Sequence, residues 1–485
     1  MPNYYQKKEG ESHFCTRIDN DPRSVSITLA DLFDRTKDSI DGRLNLPVYQ
    51  RPYCWGEKQV RQLEDDLRQY FRPDQSDNGI AFYLGSIVLH QHEDEHGQLI
   101  LDIIDGQQRL TTMAILCAVL ELQGQKCPVP ELEYRAPASH EQIRRNFVLL
   151  EGLLHDGLAV KLDRINVSVI ITQDEDEAWR FFQTLNAGGV RLSGIDIIKA
   201  HHLRAITPPL KPDHYARLWE STGDVLTPVV NRLIRGRFWT SLHYRTFDRA
   251  DPRNDIIAEF AERTQRGTQD NAYRPSVVEH LPTGGVSHTV AHQGYALRQP
   301  LHDGVNTIHY LLYFSRLYQS LFPEKRPDGD LVHALHEKIV RQSAQSNYLR
   351  ELYETAILLY ASRFGMENLP EACLWLFRLI FSLRVTKSRV TEPGVRNFCR
   401  EQAILDHIAY SFNHVELMQY LTAYKYSVDH DGLEGGRTKK YFVESVYQLF
   451  GSTSPEKVDE IIRTYDNFLM AQFRCHVSLP SYRVS

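Results

Sequence analysis

The spacing of apolar positions changes along the chain, and each change marks an element. Residues 44–49 (LNLPVY) read as a short strand, and residues 57–71 place Val60, Leu63, Leu67, Tyr70 and Phe71 at helical spacing. Two β-rich runs, 82–90 and 99–104, flank the polar stretch 93–98, which predicts a hairpin. From Leu110 the residues Met113, Ala114, Leu116, Cys117 and Leu120 continue as an apolar helix that ends near Gly124 and Pro128. The second hairpin strand therefore runs through Asp105-Gly106 directly into a helix. A third strand, 165–172, leads to four acids at 174–177 and a helix carrying Trp179, Phe182 and Leu185. Acids in a first helical turn read as a cap that offsets the helix dipole, in preference to a metal cluster.

Beyond residue 206 helical patterns dominate, at 308–321, 331–344, 349–364, 371–385 and 458–473, while 262–304 is rich in Gly, Pro, His and Gln and reads as an irregular insertion. The pattern predicts an α+β protein: a polar arm (1–20), a small α/β domain (21–205) and a mostly α-helical region (206–485).

A length of 485 residues favours two or three domains. With 42% hydrophobic and 24% charged residues the chain is neither disordered nor fibrous. Its net charge of −6 gives no global attraction for nucleic acid, so any DNA contact must come from a local basic surface. The seven cysteines are scattered, without a C-x-x-C pair, and read as reduced thiols. Residues 1–10 hold no apolar signal core, and the uncharged stretch at 110–120 is too short to span a bilayer, so a cytoplasmic protein without membrane association is expected.

Three motifs carry candidate chemistry. In Asp105-Gly106-Gln107-Gln108-Arg109-Leu110-Thr111-Thr112, a glycine lets backbone approach a ligand closely. The helix-start N–H groups, the Arg109 fork and two hydroxyls suit a phosphate. The same residues are equally readable as a plain cap by Asp105 with Arg109 in water, and no Walker A lysine follows. Residues 47–55 (PVYQRPYCW) gather Tyr49, Gln50, Arg51, Tyr53 and Trp55, a mixture able to stack on a base and reach a phosphate, or to fill a core. The third motif, 182–193 (FQTLNAGGVRLS), has a complete structural explanation as a helix end and a new N-cap, although Asn186, Arg191 and Lys199 also suit a nucleotide or metal-bound water.

In order, P-x-Y-Q-R-x-Y-x-W, [IV]-D-G-Q-Q-R-L-T-T and F-x-x-x-N-x-x-G-x-x-L resemble the N-terminal domain of GmrS/GmrD-type restriction proteins and SspE-type phage-defence proteins, over roughly residues 25–205. The resemblance implies a ParB/sulfiredoxin-like fold in which the Gly-to-Arg turn binds nucleotide phosphates. By it, Asp105, Gln107, Gln108 and Arg109 would be catalytic in hydrolysing a nucleoside triphosphate, GTP or another, with Mg²⁺. Tyr49, Gln50, Arg51, Gly106, Thr111, Thr112, Asn186 and Lys199 would bind the nucleotide.

Many relatives add a metal-dependent nuclease of the H-N-H type. The nearest candidate here, Asp406-His407-Ile408-Ala409, lacks the expected proline and partners, and His288 with His292 has no third ligand, so no nuclease is expected from this chain alone. A basic stretch at 231–253, with Arg232, Arg235, Arg237 and Arg245 beside Phe238, Trp239 and Tyr244, reads either as a DNA-binding surface or as a solvated helix face over buried aromatics. The expectation is an NTP-binding and NTP-hydrolysing subunit of an anti-phage restriction system, acting on foreign or modified DNA through a partner effector or nuclease. The alternatives are a nucleotide-binding scaffold without turnover and, less well supported, a self-sufficient nuclease.

Overall fold

A computed structural model describes residues 22–34, 40–71, 81–154, 158, 160–185, 193–242, 244–246, 251–267, 269–273, 276–280, 286–290, 294–323, 330–342, 347–434 and 438–477. The chain divides into two compact units, 1–192 and 193–485.

The first unit is built on β1 (Arg23–Thr28), β2 (Arg43–Asn45), β3 (Phe82–Glu93), β4 (Leu99–Asp105) and β5 (Ile165–Thr172), with α1 (Leu29–Phe33), α2 (Glu57–Tyr70), α3 (Gln107–Leu122), α4 (Pro137–Leu153) and α5 (Glu175–Leu185). The sheet order is β1-β5-β3-β4-β2. The β1/β5 and β3/β4 pairs are antiparallel, whereas β3/β5 and β2/β4 are parallel. Alternation in β5 is literal: Ile165, Val167, Val169 and Ile171 are buried, and the residues between them are partly exposed.

One sheet face packs Ile87, Leu89, Leu101 and Ile103 against Leu110, Met113, Leu116 and Leu120 of α3 and Val60, Leu63 and Leu67 of α2. Helix α3 is buried nearly all round, which explains why its sequence is apolar without a polar stripe. The other face carries Val88, His90 and His92 of β3 and Ile100 and Asp102 of β4, with α5 packed on β3, β4 and β5. Asp174 caps α5, its Oδ1 accepting the N–H groups of Asp176 (2.8 Å) and Glu177 (3.0 Å), as the acidic run predicted.

The second unit is helical: α6 (Gly194–Arg204), α7 (Pro212–Glu220), α8 (Leu226–Phe238), α9 (Arg253–Ile257), α10 (Val305–Leu321), α11 (Leu331–Leu335), α12 (Asn347–Phe364), α13 (Leu369–Thr386), α14 (Glu392–Glu401), α15 (Ile404–Tyr410), α16 (His414–Ala423), α17 (Thr438–Leu449) and α18 (Val458–Val477). The span expected to be irregular holds a hairpin, β6 (Ser276–His280) and β7 (Val286–Val290). Helix α6, which the sequence pattern grouped with the N-terminal domain, packs on α7, α9 and α10 of the second unit. In α13 the residues Leu374, Trp375, Phe377, Leu379, Ile380, Phe381 and Leu383 are all buried, so that stripe is core. Among the described residues no helix is long and apolar enough to cross a membrane.

Candidate functional site

Strand β4 ends on Asp105, and Gly106 (φ 95°) turns the chain in the left-handed region into the sixteen-residue α3. Only glycine adopts this turn without strain, and a Cβ here would lie 3.0 Å from Ile87 Cγ1. Asp105 does not cap the helix; its carboxylate instead meets Arg109 Nη2 at 3.2 Å.

The first two motifs are hydrogen-bonded to each other. Gln108 Oε1 accepts the N–H groups of Cys54 (2.9 Å) and Trp55 (3.2 Å), while its Nε2 donates to Pro52 O. Gln107 Nε2 donates to Arg51 O at 3.2 Å, and Gln50 Nε2 donates to Ile103 O and Ile104 O, both at 2.8 Å. Beneath them, the Tyr53 hydroxyl meets Thr112 Oγ1 and accepts from Asn146 Nδ2, each at 2.8 Å. Burial raises the Tyr53 pKa, keeping it a neutral phenol. Thr111 Oγ1 accepts from the Tyr134 hydroxyl, and Ser139 Oγ accepts the Tyr53 N–H. Gln107, Gln108, Thr111 and Thr112 are all buried. Of the residues read from sequence as ligand-facing, Gln108 and Thr112 therefore hold residues 52–55 against α3, Gln50 holds its turn to β4, and Thr111 takes the Tyr134 hydroxyl.

Arg109 is neither solvated nor free. Its Nη2 donates to Ser86 O (2.7 Å) and Nη1 to Leu84 O (3.3 Å), in an irregularity of β3 centred on Gly85. A Cβ on Gly85 (φ 122°) would lie 1.9 Å from Arg109 Nη1, so this glycine makes room for the guanidinium.

What the network leaves open is backbone. Leu110 N–H makes the first α3 bond, to Gly106 O, and the N–H groups of Gln107, Gln108 and Arg109 meet no acceptor among the described residues. Beside them is Arg51, half-buried, whose guanidinium has no ion-pair partner among the described residues. Tyr49 lies in the same turn, also half-buried.

Of the third motif, Asn186 and Arg191 lie outside the described residues. Its restart is a capping box: Ser193 Oγ accepts Asp196 N–H at 3.2 Å, and the Asp196 carboxylate accepts Ser193 N–H at 3.0 Å. Lys199 is buried in the second unit and ion-paired with Glu220 at 2.7 Å, so its ammonium is already neutralised.

The arginines expected at a DNA surface are interior instead. Arg232 is buried with Glu354 (2.8 Å), Arg235 with Glu351 (2.7 Å), and Arg237 with Glu259 (2.7 Å). A guanidinium paired in the core offers no net charge to a phosphate backbone. Arg245 is one-third exposed, but it shares Glu259 at 3.1 Å and lies over the Phe238 ring. His407 stacks flat on Tyr420 at 3.7 Å, and Asp406 is taken by Arg298 and the Ser241 N–H. His288 falls on β7, and His292 lies outside the described residues.

Sequence reasoning missed Ser139 and Asn146 of α4, which hold the Tyr53 turn, and Gly85. A glycine inside a strand pattern was the available signal for Gly85; nothing local marked the two α4 residues.

Residues 29–203 match the family model described as "GmrSD restriction endonuclease, N-terminal domain". This segment is a GmrSD-type N-terminal domain. The match begins at α1, ends within α6 and covers all three motifs. Residues 211–435, most of the helical unit that follows the GmrSD-type domain, match a family of unknown function, DUF7834. No curated protein matches the chain.

Proposed function

We propose that the GmrSD-type domain binds a nucleoside triphosphate, GTP or another, with its phosphates on the N–H groups of Gln107, Gln108 and Arg109. The observation that carries this reading is three successive N–H groups without an acceptor among the described residues, at the start of a long helix behind a left-handed glycine. Arg51 is the cation for the outer phosphates, and Tyr49 supplies a ring for the base. Asp105, about one-fifth exposed at the strand end, holds Mg²⁺ or the attacking water once nucleotide binding competes for Arg109. Turnover then drives restriction of foreign or modified DNA through a partner effector, with DNA contacted by surfaces other than the buried Arg232, Arg235 and Arg237.

A second reading is supported by the commitment of Gln108 and Arg109 to carbonyls and amides of the scaffold: the nucleotide is bound without turnover and the chain acts as a regulatory subunit. Calorimetric titration with GTP, ATP, CTP and UTP tests binding, and phosphate release with and without DNA separates the two readings. Arg51→Ala is expected to weaken nucleotide binding at least tenfold while leaving the melting temperature unchanged. Unaltered affinity in Arg51→Ala, or no saturable nucleotide for the wild type, refutes the site.

A further inference from the structure

On the sheet face turned away from α3, strands β3 and β4 bring two imidazoles and a carboxylate together. His90 and His92 are two residues apart on β3, and Asp102 stands directly opposite His90 in the register. One ligand atom from each of the three lies within 4.8 Å of the others, and all three side chains are partly exposed. His92 is held between two acceptors: Nε2 is 3.0 Å from Asp102 Oδ2, and Nδ1 is 3.3 Å from the Glu93 carbonyl. The Nε2–Asp102 contact is a hydrogen bond, and a metal ion displacing its proton would be met by the same nitrogen and carboxylate oxygen, with Nδ1–H left on the Glu93 carbonyl. Asp102 also has an outer support, its Oδ1 accepting from Asn45 Nδ2 at 2.6 Å. Ligands oriented by carbonyls and amides in this way are the habitual surroundings of protein metal sites.

We propose that His90, His92 and Asp102 form a binding site for a divalent transition-metal ion, Zn²⁺ in the first instance. Two neutral nitrogens and one carboxylate favour such an ion over Mg²⁺ or Ca²⁺, which take oxygen ligands. Three protein ligands leave a coordination position open, and the partial exposure of the group lets an ion enter. The first turn of α5 places Glu175 close enough to add negative potential at both histidines. A second group, His201, His202 and Asp303, shows the contrasting case. There His202 uses both nitrogens, to Phe260 O (2.6 Å) and from Gly304 N–H (3.1 Å), and Asp303 accepts from Thr264 and pairs with His201. There the middle ligand, His202, is fully buried, whereas all three of the proposed ligands are partly exposed. The proposed site shares no residue with the nucleotide reading and does not rest on it.

The test uses the full chain, stripped with a chelator and titrated with ZnCl₂ alone by calorimetry, with the d–d absorption of Co²⁺ as an independent report on ligand geometry. One equivalent of Zn²⁺ is expected to bind in the wild type and in His201→Asn, and to be lost in His90→Asn and Asp102→Asn. Asn45→Ala, which removes only the outer support of Asp102, is expected to weaken binding about ten- to a hundredfold. Circular dichroism shows whether each variant is folded. Should either loss variant fail to fold, His92→Gln decides, because that side chain is 38% exposed and carries little packing. Wild-type zinc affinity in the folded ligand variants overturns the proposal, as does a wild type that binds no Zn²⁺. The three residues are then an imidazolium–carboxylate cluster.

Discussion

Arg109 ties the start of α3 to the sheet, and a double-mutant cycle with Gly85 measures that tie. Arg109→Ala removes the contacts to Ser86 O (2.7 Å), Leu84 O (3.3 Å) and Asp105 (3.2 Å). Charged hydrogen bonds contribute about 1.5–3 kcal/mol each when sheltered. The Arg109 side chain is 26% exposed, so water takes over part of the loss and the expected cost is about 2–3 kcal/mol. Gly85→Ala forces a side chain into φ 122° and places its Cβ 1.9 Å from Arg109 Nη1. The backbone strain is on the order of 1–3 kcal/mol, and eviction of the guanidinium adds the loss already assigned to Arg109. In the double variant the eviction has nothing left to remove, so the two costs fall short of additivity by about 2 kcal/mol. Chemical denaturation of the four proteins, followed by fluorescence, gives the cycle. A coupling below about 0.5 kcal/mol would show that Arg109 does not sit on the Gly85 irregularity. If Arg109→Ala leaves stability unchanged yet abolishes nucleotide binding, the guanidinium belongs to the ligand and not to the sheet.

Two predictions concern the helical unit. Burial holds His202 down to about 3 from an ordinary 6.5, so the folded form keeps it neutral while the unfolded chain takes up a proton. Stability is therefore lost as pH falls from about 6.5 towards 3, by up to about 1.4 kcal/mol per unit, and His202→Asn should flatten that part of a melting-temperature profile; an unchanged slope refutes the assignment. Glu259 accepts from Arg237, Arg245 and Arg263, so Glu259→Gln leaves the buried Arg237 charge uncompensated and should cost about 3–5 kcal/mol in denaturant titration; a loss under about 1 kcal/mol would mean Arg237 is hydrated.

The strands and helices of the first unit were legible because their periods are clean: residues 82–90, 99–104 and 165–172 appear as β3, β4 and β5, and the apolar run from Leu110 as α3. Strand β1 was not, since Arg23–Thr28 has only Val25 and Ile27 on its apolar face and stands at the sheet edge. The hairpin β6/β7 was hidden in a Gly- and His-rich span whose strands are five residues each. At the site, sequence located the loop and its glycine. It could not tell that Gln50 reaches the backbone of β4 while Gln107 and Gln108 reach the backbone of residues 51–55, because such partners lie 53–56 residues away. The arginines at 232–237 failed for a similar reason: their glutamates sit more than a hundred residues on, in α12, or beyond α9, and a local charge run cannot reveal them.

Taken with the hydrogen-bond network, this changes which atoms of the motif the nucleotide proposal rests on. Gln108, whose amide oxygen accepts the Cys54 N–H at 2.9 Å, cannot also grip a phosphate without releasing the turn at 52–55. The backbone N–H groups of α3 can, because in this arrangement they have no competing acceptor among the described residues. The side chains Gln108 and Gln50 then position the turn that carries Tyr49 and Arg51, and on the proposed reading the helix start and Arg51 would meet the ligand. A phosphate arriving at Gln107–Arg109 would also draw Arg109 away from Asp105, since a polyanion outcompetes a single carboxylate at 3.2 Å. On the proposed reading, Asp105 freed of its partner would become a metal or water ligand only when nucleotide is present.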